Sequence, residues 1–592
     1  MKLDINTLSR SEVNAAFDVY NLHNRKNASV RCKFCRSKAF CANISRQRSH
    51  LKQCHHFLMN ARKMAQKPQN KDILVTPASS SQQTIDFAVA HKEQINSLLG
   101  MMIFAGARPF SILEDDFMKR FIIALNPQYP IPSRSKLTDS ILSTCYKSTL
   151  DQLVDVLSKS CYINISVDES TDISRRRVMN LSVTDGSKRY YWCSCQLDAI
   201  SMTSTTIADW IVEQAGILVD GRYERLNALT TDTCSTIRST WADLQQRPQF
   251  SHVFMVPCDS HGLQLLIKDL LTLPSIDVVF KKCQSIISHF NHSPLQLSIL
   301  RAIQMEEYGE EKSLLSAIIT RWGSQYTMLQ SIKRSEAALS KFARREDIDL
   351  GATLKAVLKD DLFWIYLGRL IQIIKPLHEA IKISESVKSD MSKVLQRWLN
   401  INRHLLACQP LQPFSEDIEA FSRITFRQRL EKQLTDMHYT MYYLDPKNCH
   451  TNLQPQLQRR VNNVISKYCS DSASAVAEFV AFRTKSGVFF EAPCWDHTAD
   501  PKLFWRMHQS VSGVSSGLAN LALRFLNATA NSVASEQAFS IQNLQITKIR
   551  NRLTIEHADK LNFIYVKAQT ITILAARIEK TKHREGKKET GT

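Results

Sequence analysis

The fold of this 592-residue chain is limited above all by a run in which apolar and polar residues alternate as they do along a β-strand. Residues 161–172 alternate in this way, and the alternating run reaches a carboxylate at Asp168. Two further runs, 178–184 and 188–194, flank Asp185-Gly186, a dipeptide typical of a hairpin turn. The pattern predicts three antiparallel strands that follow one another along the chain.

The elements that follow predict how these strands continue into a larger sheet. A helix is predicted over 205–215, a strand over 226–232 that ends at Asp232, and a further helix from Ser235. A strand over 252–257 and another helix come next. Three strands, helix, strand, helix, strand, helix is the order of an RNase H-like fold. The first and fourth strands lie side by side in that order, so Asp168 and Asp232 are expected to end close together.

A long helix-rich segment, about 271–494, then interrupts the predicted core. The chain returns to the core near Asn531, and Glu536 lies in a helical segment just beyond. Carboxylates at strand ends and on a facing helix can supply the hard oxygen ligands that metal-dependent phosphoryl transfer needs. Taken singly, each acid has an ordinary alternative: Asp168 as a solvated strand end, Asp232 as a helix N-cap and Glu536 as a surface residue.

The N-terminal part of the chain is strongly basic and contains a metal-binding spacing. Residues 25–71 include thirteen Lys and Arg and no Asp or Glu. Within them, Cys32-x2-Cys35 and His50-x3-Cys54 have the spacing of a tetrahedral zinc site. The spacing leaves His55 and His56 open as alternatives to Cys54. The helix predicted between the pairs presents basic side chains that could grip DNA phosphates, namely Arg46, Arg48 and Lys52. The alternative interpretation is a solvated basic arm.

Composition limits the partners and the compartment. The formal net charge is +20 and the pI is about 9.3, which favours a polyanionic partner. The apolar run 98–107 is about half of the ~20 residues that a spanning helix needs, so no membrane contact is expected. Fifteen scattered cysteines indicate reduced thiols. The charge alone is compatible with nucleic acid or an acidic membrane surface, and together these features favour a nuclear protein that binds nucleic acid.

The contexts of the three acids, with Cys258-Asp259-Ser260-His261 and Arg321-Trp322 between them, resemble the hAT family of DDE transposases. The resemblance runs from about 84 to 570, and the segment around Cys32–Cys54 resembles a BED-type zinc finger. Cys54 is the fourth zinc ligand that this second resemblance implies.

The resemblance implies a transposase that excises its element and joins the freed ends to a target. Asp168, Asp232 and Glu536 would hold Mg²⁺ or Mn²⁺, and His261 would lie near the scissile phosphate. Trp322, next to Arg321, would stack on a flipped-out base. Terminal inverted repeats and target DNA would be the partners, and the C-terminal region would form at least a dimer.

Two departures from the family pattern concern the surroundings of the acids. Glu169-Ser170-Thr171 stands where the family often has Gly-Trp-Thr, and Gln537 stands where Arg usually follows the Glu. Neither removes a metal ligand. Two rival hypotheses therefore stay open: a domesticated, non-catalytic DNA-binding regulator of transposase origin, and a nuclease of the same fold.

The predicted fold class is an α/β RNase H-like core interrupted by a long all-α insertion, with a small N-terminal zinc-finger module. The predicted domains are a BED-type zinc finger (1–62), a linker (63–83), a helical DNA-binding or dimerisation region (84–160), the first part of the core (161–270), the helical insertion (271–494), the last part of the core with the C-terminal dimerisation region (495–575), and a disordered basic tail (576–592).

Overall fold

The computed structural model describes residues 13, 16–20, 29–35, 40–41, 44–55, 57, 81–171, 175–197, 203–317, 323–348, 350–386, 389–511, 517–545, 553–554 and 556–568. The chain divides into two compact units, Met1–Ala88 and Val89–Thr592. Most of the predicted linker and the whole predicted tail lie outside the described residues.

The described residues of the first unit include a small antiparallel sheet and a helix that follows it. The strands are β1 (Phe17–Tyr20), β2 (Ser29–Cys32) and β3 (Phe40–Cys41), in the order β1-β2-β3, followed by α1 (Ile44–Gln53). Apolar side chains from both layers form a small core around two of the cysteines: Val13, Phe17, Val30 and Leu51 with Cys32 and Cys54. Bound zinc is a common means of stabilising small modules.

The second unit begins with a helical layer. Its helices are α2 (Ser81–Ala105), α3 (Asp116–Leu125) and α4 (Leu142–Ser158), with helical turns at Arg134–Lys136 and Leu137–Ile141 before the last. Helix α2 starts at Ser81, so the helical structure begins slightly before the predicted end of the linker at residue 83.

The sheet of the second unit has five strands. They are β4 (Ile163–Thr171), β5 (Arg177–Thr184), β6 (Arg189–Gln196), β7 (Leu226–Thr231) and β8 (Phe254–Pro257), with α5 (Ser204–Leu218) and α6 (Ser235–Gln246) between the last three. The order is β6-β5-β4-β7-β8. Strands β4, β5 and β6 are antiparallel, whereas β7 runs parallel to β4 and to β8. The strands predicted from alternation lie where they were expected, and the first and fourth are neighbours.

Helices make up most of the described chain from 259 to 484, and no β-strand lies in the described part of that range. They are α7 (Asp259–Leu271), α8 (Pro274–His292), α9 (Pro294–Tyr308), α10 (Ser324–Lys333), α11 (Glu336–Arg344), α12 (Ala352–Lys359), α13 (Asp361–Ser384), α14 (Val394–Cys408), α15 (Ser415–Arg423), α16 (Thr425–Gln433), α17 (Asp436–Leu444), α18 (Pro455–Tyr468) and α19 (Ser472–Thr484). Their apolar faces share one large core with β8 and α7. Within the described part of the chain, no helix combines the length and the apolar composition that a membrane span requires.

The last helices return to the sheet. They are α20 (Pro501–Val511), α21 (Gly517–Asn527), α22 (Val533–Gln545) and α23, which covers 556–568. Helix α22 packs across β4, β5 and β6. Helix α23 contributes Phe563 to the core of the sheet, and it contributes Leu561 and Ile564 to the core of the helical layer formed by α2 to α4.

Candidate functional site: an acidic centre and a Cys/His cluster

Two of the three predicted acids lie on or directly after neighbouring parallel strands, although β4 continues beyond Asp168 to Thr171. Asp168 lies in β4 and Asp232 directly follows β7, and parallel neighbours end at the same edge of a sheet. Glu536 lies in the first turn of α22, which packs over that sheet. The fold therefore brings three acids that are far apart in sequence to one region of the second unit.

Hydrogen bonds fix the register between α22 and β4. The Ser535 hydroxyl donates to the backbone oxygen of Ser166 at 3.0 Å, and the two serine hydroxyl oxygens lie 3.2 Å apart. Just before α22, the backbone oxygen of Thr529 accepts from the Thr230 hydroxyl of β7 at 2.8 Å. These contacts hold the residue before Glu536 on the strand that carries Asp168.

The electrostatics of the acids reflect burial and mutual repulsion. Burial, followed by the charge of Asp232, raises the pKa of Asp168 to about 7. Burial, followed by the charges of Asp168 and Glu385, raises the pKa of Glu536 to about 9. Buried carboxylates that oppose one another's ionisation are the kind of group whose charge a divalent cation would neutralise. The donor set therefore fits Mg²⁺ or Mn²⁺ chemically.

The oxygens of the three acids are less converged than the ligand atoms of the N-terminal cluster. Among the residues that the structure describes, that cluster is the one group of three or more His, Cys, Asp or Glu side chains whose ligand atoms lie close enough together to hold a metal ion. The acids are close enough to shift one another's pKa, but they are not arranged in this way.

Arg189 of β6 connects the acidic centre to the helical segment. Its guanidinium donates to the backbone oxygens of Glu385 and Ser386 and to the Asn531 side-chain oxygen, each at 3.0 Å. The first two contacts satisfy carbonyls at the C-terminal end of α13. The same positive charge counteracts part of the rise in the pKa of Glu536.

The motif Cys258-Asp259-Ser260-His261 forms the start of α7, and its backbone joins the segments that carry the acids. The Cys258 amide donates to the Thr231 oxygen at 2.8 Å, next to Asp232. The Asp259 amide donates to the Ala530 oxygen at 2.9 Å. Both contacts lie beside the chain segments that lead to the predicted metal ligands.

Side chains of the same motif bind the helical segment. The fully buried Asp259 carboxylate accepts from the Arg397 guanidinium and, at 2.8 Å, from the Trp398 indole nitrogen. The Ser260 hydroxyl donates to the Ser384 hydroxyl at 2.9 Å. Asp259 and Ser260 therefore have structural roles, and nothing in the sequence pattern indicated their distant partners.

His261 differs from the other members of the motif because it is close to an acid of the centre. Burial lowers the pKa of His261, the charge of Asp232 opposes that shift, and the charge of Arg429 adds to it. The Arg429 guanidinium is itself held by the Asp269 carboxylate, with contacts of 2.6 and 3.0 Å. A neutral imidazole beside Asp232 can accept a proton.

Arg321 and Trp322 lie outside the described residues. The next residue, Gly323, is anchored to α7 because its amide donates to the Gln264 side-chain oxygen at 3.3 Å. Gly323 has φ +69°, and a Cβ atom there would lie 2.4 Å from Nδ1 of His378. The described chain after Trp322 is thus tied to the helix that carries His261.

In the first unit, Cys32, Cys35, His50 and Cys54 form a compact cluster whose ligand atoms all lie within 4.8 Å of one another. The sulfurs of Cys32 and Cys54 are 3.8 Å apart, and Sγ of Cys35 is 3.2 Å from Nε2 of His50. Zn–S bonds of about 2.3 Å in a tetrahedron place two sulfurs about 3.8 Å apart. The cluster fits Zn²⁺, and it contains Cys54, whereas the described His55 is not a member of it; His56 lies outside the described residues.

The charge state of the cluster also suits a metal. The contact with Cys54 is the largest cause that lowers the pKa of Cys32, to about 4, so that a thiolate is favoured there. Thiolate is the form that binds zinc. Arg46 and Lys52 are exposed on α1 and Arg48 is half-buried, so the helix between the ligand pairs presents positive charge to solvent.

Four apolar residues of the C-terminal region, for which self-association is predicted, are buried within this chain. Helix α21 places Leu521, Leu523, Phe525 and Leu526 in the core shared with the helical segment. These four side chains are therefore not available on the surface of one chain.

Sequence reasoning missed Asn180 and Glu385 near the acids. Asn180 is fully buried in β5 and lies opposite Asp168 in the strand register. The polar residues Asn180, Ser182 and Thr184 alternate with apolar ones in a strand that is buried on both faces. This alternation of polar residues within a buried strand was the one feature of the sequence that could have indicated Asn180. Glu385 follows α13, more than two hundred residues from Asp168, and no local pattern marks it.

Comparisons with known proteins give two family matches and several relatives. The family described as "Domain of unknown function (DUF659)" matches residues 132–286, and the "ZBED1 RNase-like helical domain" matches residues 256–354. The two matches cover the sheet and the first part of the helical segment.

The relatives are similar over longer stretches at low identity. Zinc finger BED domain-containing protein 4 of Homo sapiens is 19% identical over 524 residues, which are 80% of this chain and 43% of that protein. A putative AC transposase of Zea mays is 24% identical over 265 residues, or 41% of this chain and 31% of that protein. Zinc finger BED domain-containing protein 6 of Mus musculus is 22% identical over 348 residues, or 56% and 33%. The chain spans less than half the length of each relative.

Proposed function

Because this chain is an hAT-family transposase-like protein, we propose that it is a DNA transposase that excises transposon ends and transfers them with an Asp/Asp/Glu site. The observation that carries the proposal is the register contact between Ser166 and Ser535, 369 residues apart in sequence. That contact holds the helix of Glu536 on the strand of Asp168, beside Asp232.

The fold supports the proposal through its strand order. Counted along the chain, the five strands have the order 3-2-1-4-5, with the first three antiparallel and the last two parallel to the first. We interpret this sheet as an RNase H-like core and the helices between α7 and α20 as an insertion into it. The acids would then stand at the sheet edge where that fold carries its metal ligands.

Asp168, Asp232 and Glu536 would hold divalent metal ions. When bound, Mg²⁺ or Mn²⁺ would supply activation of the attacking oxygen and stabilisation of the leaving oxygen of a phosphodiester. His261 would accept a proton near Asp232, since burial favours its neutral form. Arg189 would limit the repulsion among the acids while the metal ions are absent.

Double-stranded DNA, both transposon terminal inverted repeats and target, would be the partner. The Cys/His cluster would fold a BED-type finger around zinc, and Arg46, Arg48 and Lys52 on its helix would contact phosphates. Arg321 and Trp322 would act at the cleavage point, with Trp322 stacked on a flipped base. The active form would be at least a dimer, and it would work in the nucleus.

The decisive experiment compares binding and cleavage on one labelled transposon end. Asp168→Ala, Asp232→Ala and Glu536→Ala should each abolish strand cleavage in Mg²⁺ or Mn²⁺ and leave gel-shift affinity within about twofold of wild type. Affinity rests mainly on Lys and Arg contacts to phosphate, whereas the acids act on charge that develops during the reaction. Glu169→Ala is the matched control, because Glu169 follows Asp168 but pairs with Arg177 at 2.6 Å.

A domesticated, non-catalytic DNA-binding regulator is the second candidate function. The similarity to two zinc finger BED domain-containing proteins favours it, as does Gln537 beside Glu536. If the wild-type protein binds its DNA but does not cleave it in any divalent metal ion, that result would support this function over transposition. If Glu536→Ala alone cleaved normally, the assignment of the third acid would be wrong.

A further inference from the structure

Strand β5 and helix α22, which packs on it, contain buried polar groups that have no hydrogen-bond partner among the described residues. Asn180 and Ser182 have no exposed surface and Gln542 is 1% exposed. Both polar atoms of the Asn180 carboxamide lack such a partner, and so do the Ser182 hydroxyl and the Gln542 amide. Buried polar groups are nearly always hydrogen-bonded, so a group that is not needs a specific reason to be there.

Strand register places one of these groups next to the acidic centre. Asn180 pairs directly with Asp168 between β5 and β4, and Ser182 pairs with Ser166. Directly opposed residues share a face, with their Cβ atoms about 4.5–5.5 Å apart. Ser166 in turn contacts Ser535 of α22. The Asn180 carboxamide therefore lies on the same face as Asp168, beneath the helix that carries Glu536.

The Asp168 carboxylate can accept further hydrogen bonds from such a neighbour. Its Oδ1 accepts from the Glu169 amide at 3.0 Å, and no other hydrogen bond to it occurs within the described residues. When a carboxylate binds a metal through one oxygen, a hydrogen-bond donor to the carboxylate usually fixes its orientation. The Asn180 Nδ2–H group is the fully buried donor directly across the strand pair.

We propose that Asn180 is a positioning residue of the divalent-metal site. Its carboxamide holds the Asp168 carboxylate, directly or through a water bound to the metal, in the orientation that binds the metal. The proposal rests on the proposed function, because it assumes that Asp168 is a metal ligand.

Folding alone does not account for an asparagine at this position. An apolar side chain of similar size would bury no unsatisfied groups and would be neutral or favourable for stability. Residues that disagree with local stability are expected at functional sites, where they serve binding or chemistry. Ser182 offers a comparison, since it is equally buried and on the same face but about 6.6 Å further along the strand.

The test measures Mn²⁺ binding by electron paramagnetic resonance on the full-length, zinc-loaded protein, with cleavage measured in parallel. Asn180→Leu removes both polar atoms and should weaken Mn²⁺ binding by roughly 10–100-fold, the usual effect of losing a partner of a ligand. Its melting temperature should be equal to or above that of wild type. Ser182→Ala is the matched control and should bind Mn²⁺ like wild type.

Asp168→Ala separates failure of this inference from failure of the proposed function. If wild type and Asp168→Ala bind Mn²⁺ equally, the acids are not a metal site and the proposed function fails. If Asp168→Ala loses Mn²⁺ while Asn180→Leu retains wild-type affinity, Asn180 has only a structural role and the inference alone is overturned. If Ser182→Ala weakens Mn²⁺ binding as much as Asn180→Leu does, the inference is also overturned.

Discussion

His438 lies in α17 with no exposed surface, and its chemistry gives the helical segment a sensitivity to acid. The Thr435 amide donates to Nδ1 of His438 at 3.1 Å, which closes the N-terminus of the helix. Nε2 has no hydrogen-bond partner in the described part of the chain. Burial alone lowers the pKa of His438 from 6.5 to about 3, so the folded protein keeps this imidazole neutral.

The pH dependence follows from that shift. Between pH 6.5 and about 3 the unfolded chain binds a proton at His438 that the folded protein does not, so stability falls as the pH falls. The loss should reach about 2 kcal/mol at pH 5. His438→Asn retains an acceptor at the position of Nδ1 and should flatten the curve of Tm against pH between about 7 and 5. Equal slopes for wild type and variant would contradict this assignment.

At the residue scale, sequence predicted the acids because strand ends and a helix start give them recognisable local contexts. Asn180 was missed because its significance depends on which residue lies opposite it across a strand pair. Asp259 was grouped with His261 in one motif, yet the Asp259 side chain binds the helical segment, whereas His261 lies near Asp232. Its partner Arg397 is 138 residues away, and no spacing rule predicts a buried ion pair over that distance.

At the element scale, α7 is the connection between the sheet and the helical segment. Its first turn binds α14 through the buried contact of Asp259 with Arg397 and Trp398. Further along, α16 packs over Gly262, where a Cβ atom would lie 2.2 Å from the Gln433 side-chain oxygen. The helical nature of the segment could be predicted from the scarcity of strand signals. Its docking could not, because it depends on such long-range contacts.

Arg397→Leu should destabilise this connection strongly. The change leaves the Asp259 carboxylate buried without its cation, which typically costs about 3–5 kcal/mol. A lowered Tm in thermal unfolding would measure this destabilisation. Asp259→Asn combined with Arg397→Leu should recover part of the stability, because the unpaired charge is gone.

Arg403→Leu serves as the control for that experiment. Arg403 lies on the same helix α14 but is exposed, with one contact of 3.3 Å to Asn400. Its replacement should leave Tm nearly unchanged. If Arg397→Leu had an equally small effect, the buried pair would not be what joins the sheet to the helical segment.

At the scale of the whole molecule, the chain combines a small basic unit with a large unit that contains the acids. The division into Met1–Ala88 and Val89–Thr592 means that the two can be perturbed separately. The sequence predicted the four members of the Cys/His cluster from spacing and resemblance, since metal-ligand spacing is a local property. Which residues pack around the cluster could not be predicted from that spacing, because Val13 and Phe17, which belong to its core, lie outside it.

Removal of zinc should therefore unfold the first unit and spare the second. Cys32→Ser, or a chelator, disrupts a cluster that stabilises a core of only a few side chains. Hydrogen exchange over residues 29–55 should become fast, while exchange in the strands of the second unit should stay slow. Cys161→Ser is the control, because Cys161 is an exposed cysteine outside the cluster.

The same variant should alter DNA binding in a way that salt reveals. Unfolding α1 disperses Arg46, Arg48 and Lys52, so these side chains cease to bind phosphates as a group. For every phosphate that the protein no longer neutralises, the slope of log affinity against log salt should become shallower by about 0.9, and affinity at low salt should fall the most. The remaining affinity should belong to the second unit and should not change with added zinc. A Cys32→Ser protein with the wild-type salt slope would mean that the basic helix does not bind DNA, even if the zinc cluster folds as proposed.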